Sequence, residues 1–106
     1  MKLVLIQQFV EERNRNANIQ LLDVRENYEH AICSIGAIHI PMHEIYNRQK
    51  ELSPTKKTFV FCKSGRRAEA VANLLSTEFG FKEVFAVIGG IQAYAEQVDK
   101  SLELYD

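Results

Sequence analysis

Apolar residues along this chain fall alternately into short runs and helical stripes. Ile6, Phe9 and Val10 recur at i, i+3 and i+4, which predicts a first helix. Residues Ile19 to Val24, with Leu21-Leu22 at their centre, read as a buried strand. Ile38-His39-Ile40 reads as a short strand stopped by Pro41, and Thr58-Phe59-Val60-Phe61 as a third, aromatic and β-branched throughout. From Arg66 to Phe79 the positions Val71, Leu74, Leu75 and Phe79 form a helical stripe that Gly80 ends. Val84 to Ile88 is another apolar run, closed by Gly89-Gly90, and Gln92 to Val98 reads as a last helix. Arg13 to Asn18 and Ser53 to Lys57 are polar and read as turns.

Strands that are apolar on both faces and separated by helices predict an α/β domain. Its central sheet is expected to be mainly parallel, with helices on both faces, over residues 1–106. In open sheets of this class, ligands bind beyond the carboxyl ends of the strands. Three such ends carry residues that a core does not need: Asp23-Val24-Arg25, Cys62 to Arg67, and Gly89-Gly90.

Composition narrows the reading further. The length of 106 residues suits one domain, and 46% hydrophobic residues are enough for one core. A formal net charge of -1 exerts no global pull on nucleic acid or a membrane surface, so any anion site must be a local basic cluster. The run Leu3 to Ile6 is far shorter than a signal-peptide core, and no run approaches the roughly 18 residues of a membrane span. Cys33 and Cys62 do not make a disulfide framework. The expectation is a cytoplasmic protein with no nucleic-acid or membrane partner.

The segment Phe59 to Ala68 passes from strand through a tight loop into a helix start, with Cys62 at the bend. Unpaired amides at a helix N-terminus carry partial positive charge and favour thiolate over thiol. Lys63, Arg66 and Arg67 add cations within a few residues, and Gly65 lets the loop turn so that its amides point inward. A buried core cysteine explains Cys62 alone, but not the glycine and cations that follow it. Arginines in a first helical turn oppose the helix dipole, so another interaction must favour them there.

Cys62-x-x-Gly65-x-Arg67 resembles the active-site loop of rhodanese-like domains. Leu21 to Glu26, followed by Gly36 to Pro41, resembles that family's N-terminal signature. Gly80 to Val84, followed by Gly89 to Tyr94, resembles its C-terminal one. The resemblance spans nearly the whole chain. Two departures stand out: the loop before Gly36 is one residue shorter than usual, and Tyr94 replaces a usual Trp.

The resemblance implies a sulfurtransferase that carries a sulfane sulfur as a persulfide on Cys62, with Lys63, Ser64, Gly65, Arg66 and Arg67 forming the substrate cradle. The related cell-cycle phosphatases have a loop with five residues between cysteine and arginine. Here four lie between Cys62 and Arg67, which matches the sulfur-transferring loop. The implied partners are a small anionic donor such as thiosulfate and a nucleophilic acceptor, cyanide or a thiol. A sulfur-relay protein is a further implied partner, and a persulfide carrier with little small-molecule turnover is the alternative function. The chemistry needs no cofactor and no general base. Asp23 and Arg25 are expected to hold neighbouring loops.

His30, Cys33, His39 and His43 superficially resemble zinc-ligand spacing. His39 lies within a strand, however, and Pro41 interrupts the spacing, so no metal site is expected. Gly89-Gly90 lacks the further glycines and the Lys-Ser/Thr of a phosphate cradle and is expected to let the chain approach the cysteine loop. Cys33 reads as a small buried hydrophobe. The tail from Ser101 to Asp106, acidic and partly apolar, is left open between packing on the domain and meeting a partner.

Overall fold

A computed structural model describes residues 1–105. The chain order is β1 (Lys2–Val4), α1 (Ile6–Arg15), β2 (Ile19–Asp23), α2 (Asn27–Ile32), β3 (Ile38–His39), α3 (Ile45–Arg48), β4 (Lys57–Phe61), α4 (Arg66–Glu78), β5 (Val84–Val87) and α5 (Gly90–Gln97). Single 3₁₀ turns, Met42–Glu44 and Gln49–Glu51, flank α3. The five strands form one sheet ordered β1-β5-β4-β2-β3, and every neighbouring pair runs parallel. Among the described residues, no helix is long and apolar enough to cross a membrane.

Side-chain alternation along the central strand β4 divides the core in two. Val60 and then Cys62 join Leu22, Ala86 and the buried face of α4, made of Ala68, Val71, Ala72 and Leu75. Phe59 and Phe61 point the other way, toward α1 and α5, where Phe9, Val87 and Ile91 complete a second cluster. Phe9 meets both phenylalanines edge-on, with centroids 5.2 and 5.0 Å away. Each fully buried side chain of this size contributes about 1.5–3 kcal/mol. Two covered faces explain why the strands read as nearly continuous apolar runs.

Four local expectations are corrected. The run Leu3 to Ile6 overlaps the unanticipated strand β1, paired with β5 through Leu3 opposite Ala86, although Leu3 and Leu5 are exposed. Helix α1 runs on through Arg15, leaving only Asn16 to Asn18 as the turn. Helix α2 escaped the periodicity reading because its buried member is Glu29, a charged residue. Helix α5 starts at Gly90, two residues earlier than the apolar pattern indicates.

Candidate active site

Cys62 follows the last residue of the central strand, and strand alternation turns its side chain beneath the N-terminus of α4. The residue is 1% exposed. Its Sγ accepts the amide N–H of Gly65 at 3.0 Å and that of Ala68 at 3.3 Å. Gly65 is the N-cap of α4, in the left-handed region at φ 114°, and has no side chain with which to cap. The sulfur therefore occupies the place usually taken by a serine or aspartate oxygen, at the positive end of the helix. The sequence pointed to amides from Lys63 to Arg67. The geometry selects Gly65 from that range and adds Ala68, one residue beyond it.

Helix α5 fixes the other side of the loop. The N–H of Ile91 donates to the Cys62 carbonyl at 2.8 Å, and that of Gln92 to the Lys63 carbonyl at 3.1 Å. This approach requires glycine at position 90, where a Cβ would lie 2.1 Å from the Cys62 carbonyl oxygen. The helix begins at Gly90 because its first turn is recruited to hold the cysteine loop.

The three cations have different fates. Arg67 faces Glu29 with both terminal nitrogens, at 2.6 and 2.9 Å. That guanidinium, helped by the Tyr105 hydroxyl and the Glu26 amide and opposed by burial, holds the Glu29 carboxyl down at about 2. Lys63 rests its ammonium 5.0 Å from the centre of the Tyr105 ring. Arg66 and Ser64 are exposed, and with Gly65 they line a shallow groove of about 240 Å³ that continues to Leu3 and Ile88.

Behind the loop lies a second charged pair. Arg25 is fully buried; its Nε and Nη2 donate to Asp23, the shortest contact being 2.7 Å from Nη2 to Oδ2. Burial alone pushes the Asp23 carboxyl up, but hydrogen bonds from Arg25 and His30 together outweigh it and keep the carboxyl below its ordinary value. The remaining guanidinium donors reach the carbonyls of Glu29 and Cys33, the Cys33 sulfur and the Tyr105 hydroxyl. The Arg25 side chain thus ties together the segments after β2, after α2 and after α5.

The match to the rhodanese-like domain model covers residues 7–97. This chain belongs to the rhodanese-like family. Membership supports chemistry of the sulfurtransferase type in the broad sense. The domain is 42% identical over 91 residues to "Rhodanese-like/PpiC domain-containing protein 12, chloroplastic" of Arabidopsis thaliana, covering 81% of this chain and 30% of that protein. It is 30% identical over 97 residues to "Putative sulfur carrier protein YrkF" of Bacillus subtilis, covering 91% and 52%. The rhodanese-like chain therefore spans about half or less of these relatives' length. A rhodanese-related protein from Thermoplasma volcanium superimposes with a TM-score of 0.80 at 32% identity, covering 92% of this chain and 94% of the other.

Among the residues outside the loop, His30 and His39 stack with centroids 4.1 Å apart, and His39 Nε2 donates to the Arg25 carbonyl at 2.7 Å. His43 stands apart beside Glu26 and Glu44. Among the described residues, no three His, Cys, Asp or Glu side chains are grouped to hold a metal ion. Tyr94, in place of the family's usual Trp, is buried, and Arg13 donates to its hydroxyl at 2.7 Å. The tail, as far as Tyr105, packs on the rhodanese-like domain: Leu102 and Tyr105 lie against the core cluster beneath α1 and α5. Sequence reasoning missed Glu29 and Tyr105. Glu29 carried a faint signal as the acidic residue three positions after Glu26, where it accepts the Glu26 amide at 3.0 Å. Nothing local marked Tyr105.

Proposed function

We propose that this domain moves a sulfane sulfur from a small anionic donor such as thiosulfate to cyanide or a thiol, by way of a persulfide on Cys62. The observation that carries the reading is the Cys62 sulfur held by two backbone amides at the start of α4. Donors aimed at one sulfur stabilise negative charge on it without requiring a neighbouring base. The Cys62 thiolate attacks the outer sulfur of thiosulfate, and a sulfur–sulfur bond forms as the donor's own breaks. The bonding pair of the broken bond leaves with sulfite. The acceptor then attacks the outer sulfur of the persulfide, and the electron pair returns to Cys62 as thiolate. Arg66 and Arg67, in the first turn of α4 where no preceding helical carbonyl is available, supply further amides for the outer sulfur. Both cysteines are free, which suits a reducing compartment such as the cytoplasm.

A specific observation also favours the carrier reading. Leu3 and Ile88, 50% and 45% exposed, line the groove beside Ser64, Arg66 and Glu69, an apolar floor with a charged rim of both signs suited to a sulfur-relay protein. One experiment addresses both readings. After thiosulfate treatment, the intact protein should gain the mass of one sulfur on Cys62, and cyanide should remove it as thiocyanate. Repeated turnover marks an enzyme, and loading with poor turnover a carrier. Wild-type transfer by Cys62→Ser would overturn both.

A further inference from the structure

Of the three cations after Cys62, Arg67 is committed to a buried carboxylate and Arg66 is exposed on the groove side of the loop. Lys63, next to the cysteine, is handled differently, because its ammonium sits over an aromatic face. That face belongs to a fixed ring. The Tyr105 hydroxyl donates to Glu29 Oε2 at 2.7 Å and accepts from Arg25 Nη1 at 3.2 Å, while the ring packs against the core cluster. The approach of the tail is itself ordered by a turn after α5, in which the Ser101 amide bonds the Asp99 carboxylate at 3.0 Å and the Leu102 amide the Asp99 carbonyl at 3.3 Å.

We propose that Tyr105 is a specificity-determining residue: its ring holds the Lys63 ammonium in place to receive anionic reagents at Cys62. The inference deepens the proposed function and rests on Cys62 as the reacting sulfur. A carboxylate partner neutralises a cation, as Glu29 does for Arg67. An aromatic face restrains a flexible lysine but leaves its full charge and its donors available. The contact is also weaker than a charge-assisted hydrogen bond, so an arriving anion keeps the ammonium without having to displace a strong competitor. Tyr105 acts through Lys63 and touches no reacting atom itself.

The test is the ratio of Cys62 alkylation rates with iodoacetate, an anion, and iodoacetamide, its neutral counterpart, followed by peptide mass on the full chain. Both rates are measured on the folded fraction, because unfolding exposes the buried Cys62 and pulls the ratio toward that of a free thiol. Tyr105→Leu should lower the ratio about two- to five-fold, the amount expected of an exposed cation–π contact. Tyr105→Phe, which keeps the ring, should remain closer to wild type than to Tyr105→Leu. Lys63→Gln should lower the ratio at least as far, and adding Tyr105→Leu to it should change nothing more. An unchanged ratio in Tyr105→Leu overturns the inference. So does a fall in Tyr105→Phe as deep as in Tyr105→Leu, or an effect of Tyr105→Leu that persists in the Lys63→Gln background. If the wild type forms no persulfide from thiosulfate, the sulfurtransferase reading fails while the alkylation ratio still reports on Tyr105, so the two failures are told apart.

Discussion

The site joins two regions built by opposite means. Around Cys62, the chain solves the problem locally: the amides that reach its sulfur come from residues three and six positions away. Around Arg25 and Glu29, the chain works at long range: Arg67 meets Glu29 across 38 residues, and Tyr105 meets Glu29 and Arg25 across 76 and 80. Backbone polarity holds the sulfur, whereas side-chain charge holds the surrounding segments together. The donors to the sulfur need one loop geometry, braced by α5; the charged pairs need segments drawn from across the chain. Disturbing the charged region should therefore cost stability before chemistry, and disturbing the loop should cost chemistry before stability.

The largest stability effect is expected from Arg25→Leu. It strands the buried Asp23 carboxylate and removes the donors that span three segments, for a loss of about 3–5 kcal/mol in urea unfolding. Alkylation of Cys62 by neutral iodoacetamide, measured on the folded fraction, should stay near wild type; a parallel collapse would erase the distinction between the regions. Gly90→Ala is the complementary case. Its new Cβ meets the Cys62 carbonyl, and its φ of 51° disfavours any side chain, for an expected cost of about 2–4 kcal/mol. Here persulfide loading per folded molecule should fall steeply, because the displaced carbonyl belongs to the cysteine itself. Unchanged loading would show that α5 does not position the loop. The smallest effect is expected from Cys33→Ala, which removes one buried sulfur from the edge of the second core cluster and with it a weak acceptor 3.6 Å from Arg25 Nη1. A stability loss of about 1 kcal/mol or less with unaltered sulfur loading would separate the two cysteines cleanly.

What was legible in the sequence follows the same division. Phe59 to Arg67 declared a strand end, a bend and a helix start in consecutive letters, so the loop could be recognised before its geometry was known. The parallel sheet was legible because its inner strands are apolar on both faces. Strand β1 was not, since its identity comes from the open edge of β5 rather than from its own pattern. Glu29 and Tyr105 were hidden for a related reason: a buried glutamate looks like any surface acid until its arginine is found far along the chain. Arg67 itself was read as a donor-binding cation, and its bidentate pairing with Glu29 shows how a charge near a site can be spent on architecture.

The pairing of β1 with β5 has a consequence for the order in which the molecule assembles. The sheet's first strand can pair only after the last has formed, with Leu3 opposite Ala86. Closing so long a loop adds little to the equilibrium cost, because that entropy grows only with the logarithm of length. It does delay the step, since distant pairings reward the chain late. A strand of three residues at an edge, half-covered at best, should dock late in folding and open early in native hydrogen exchange. Leu3 of that strand lines the groove beside Ser64 and Arg66. The groove beside the cysteine loop therefore rests partly on a short edge strand, while the sulfur sits at the end of the sheet's central one.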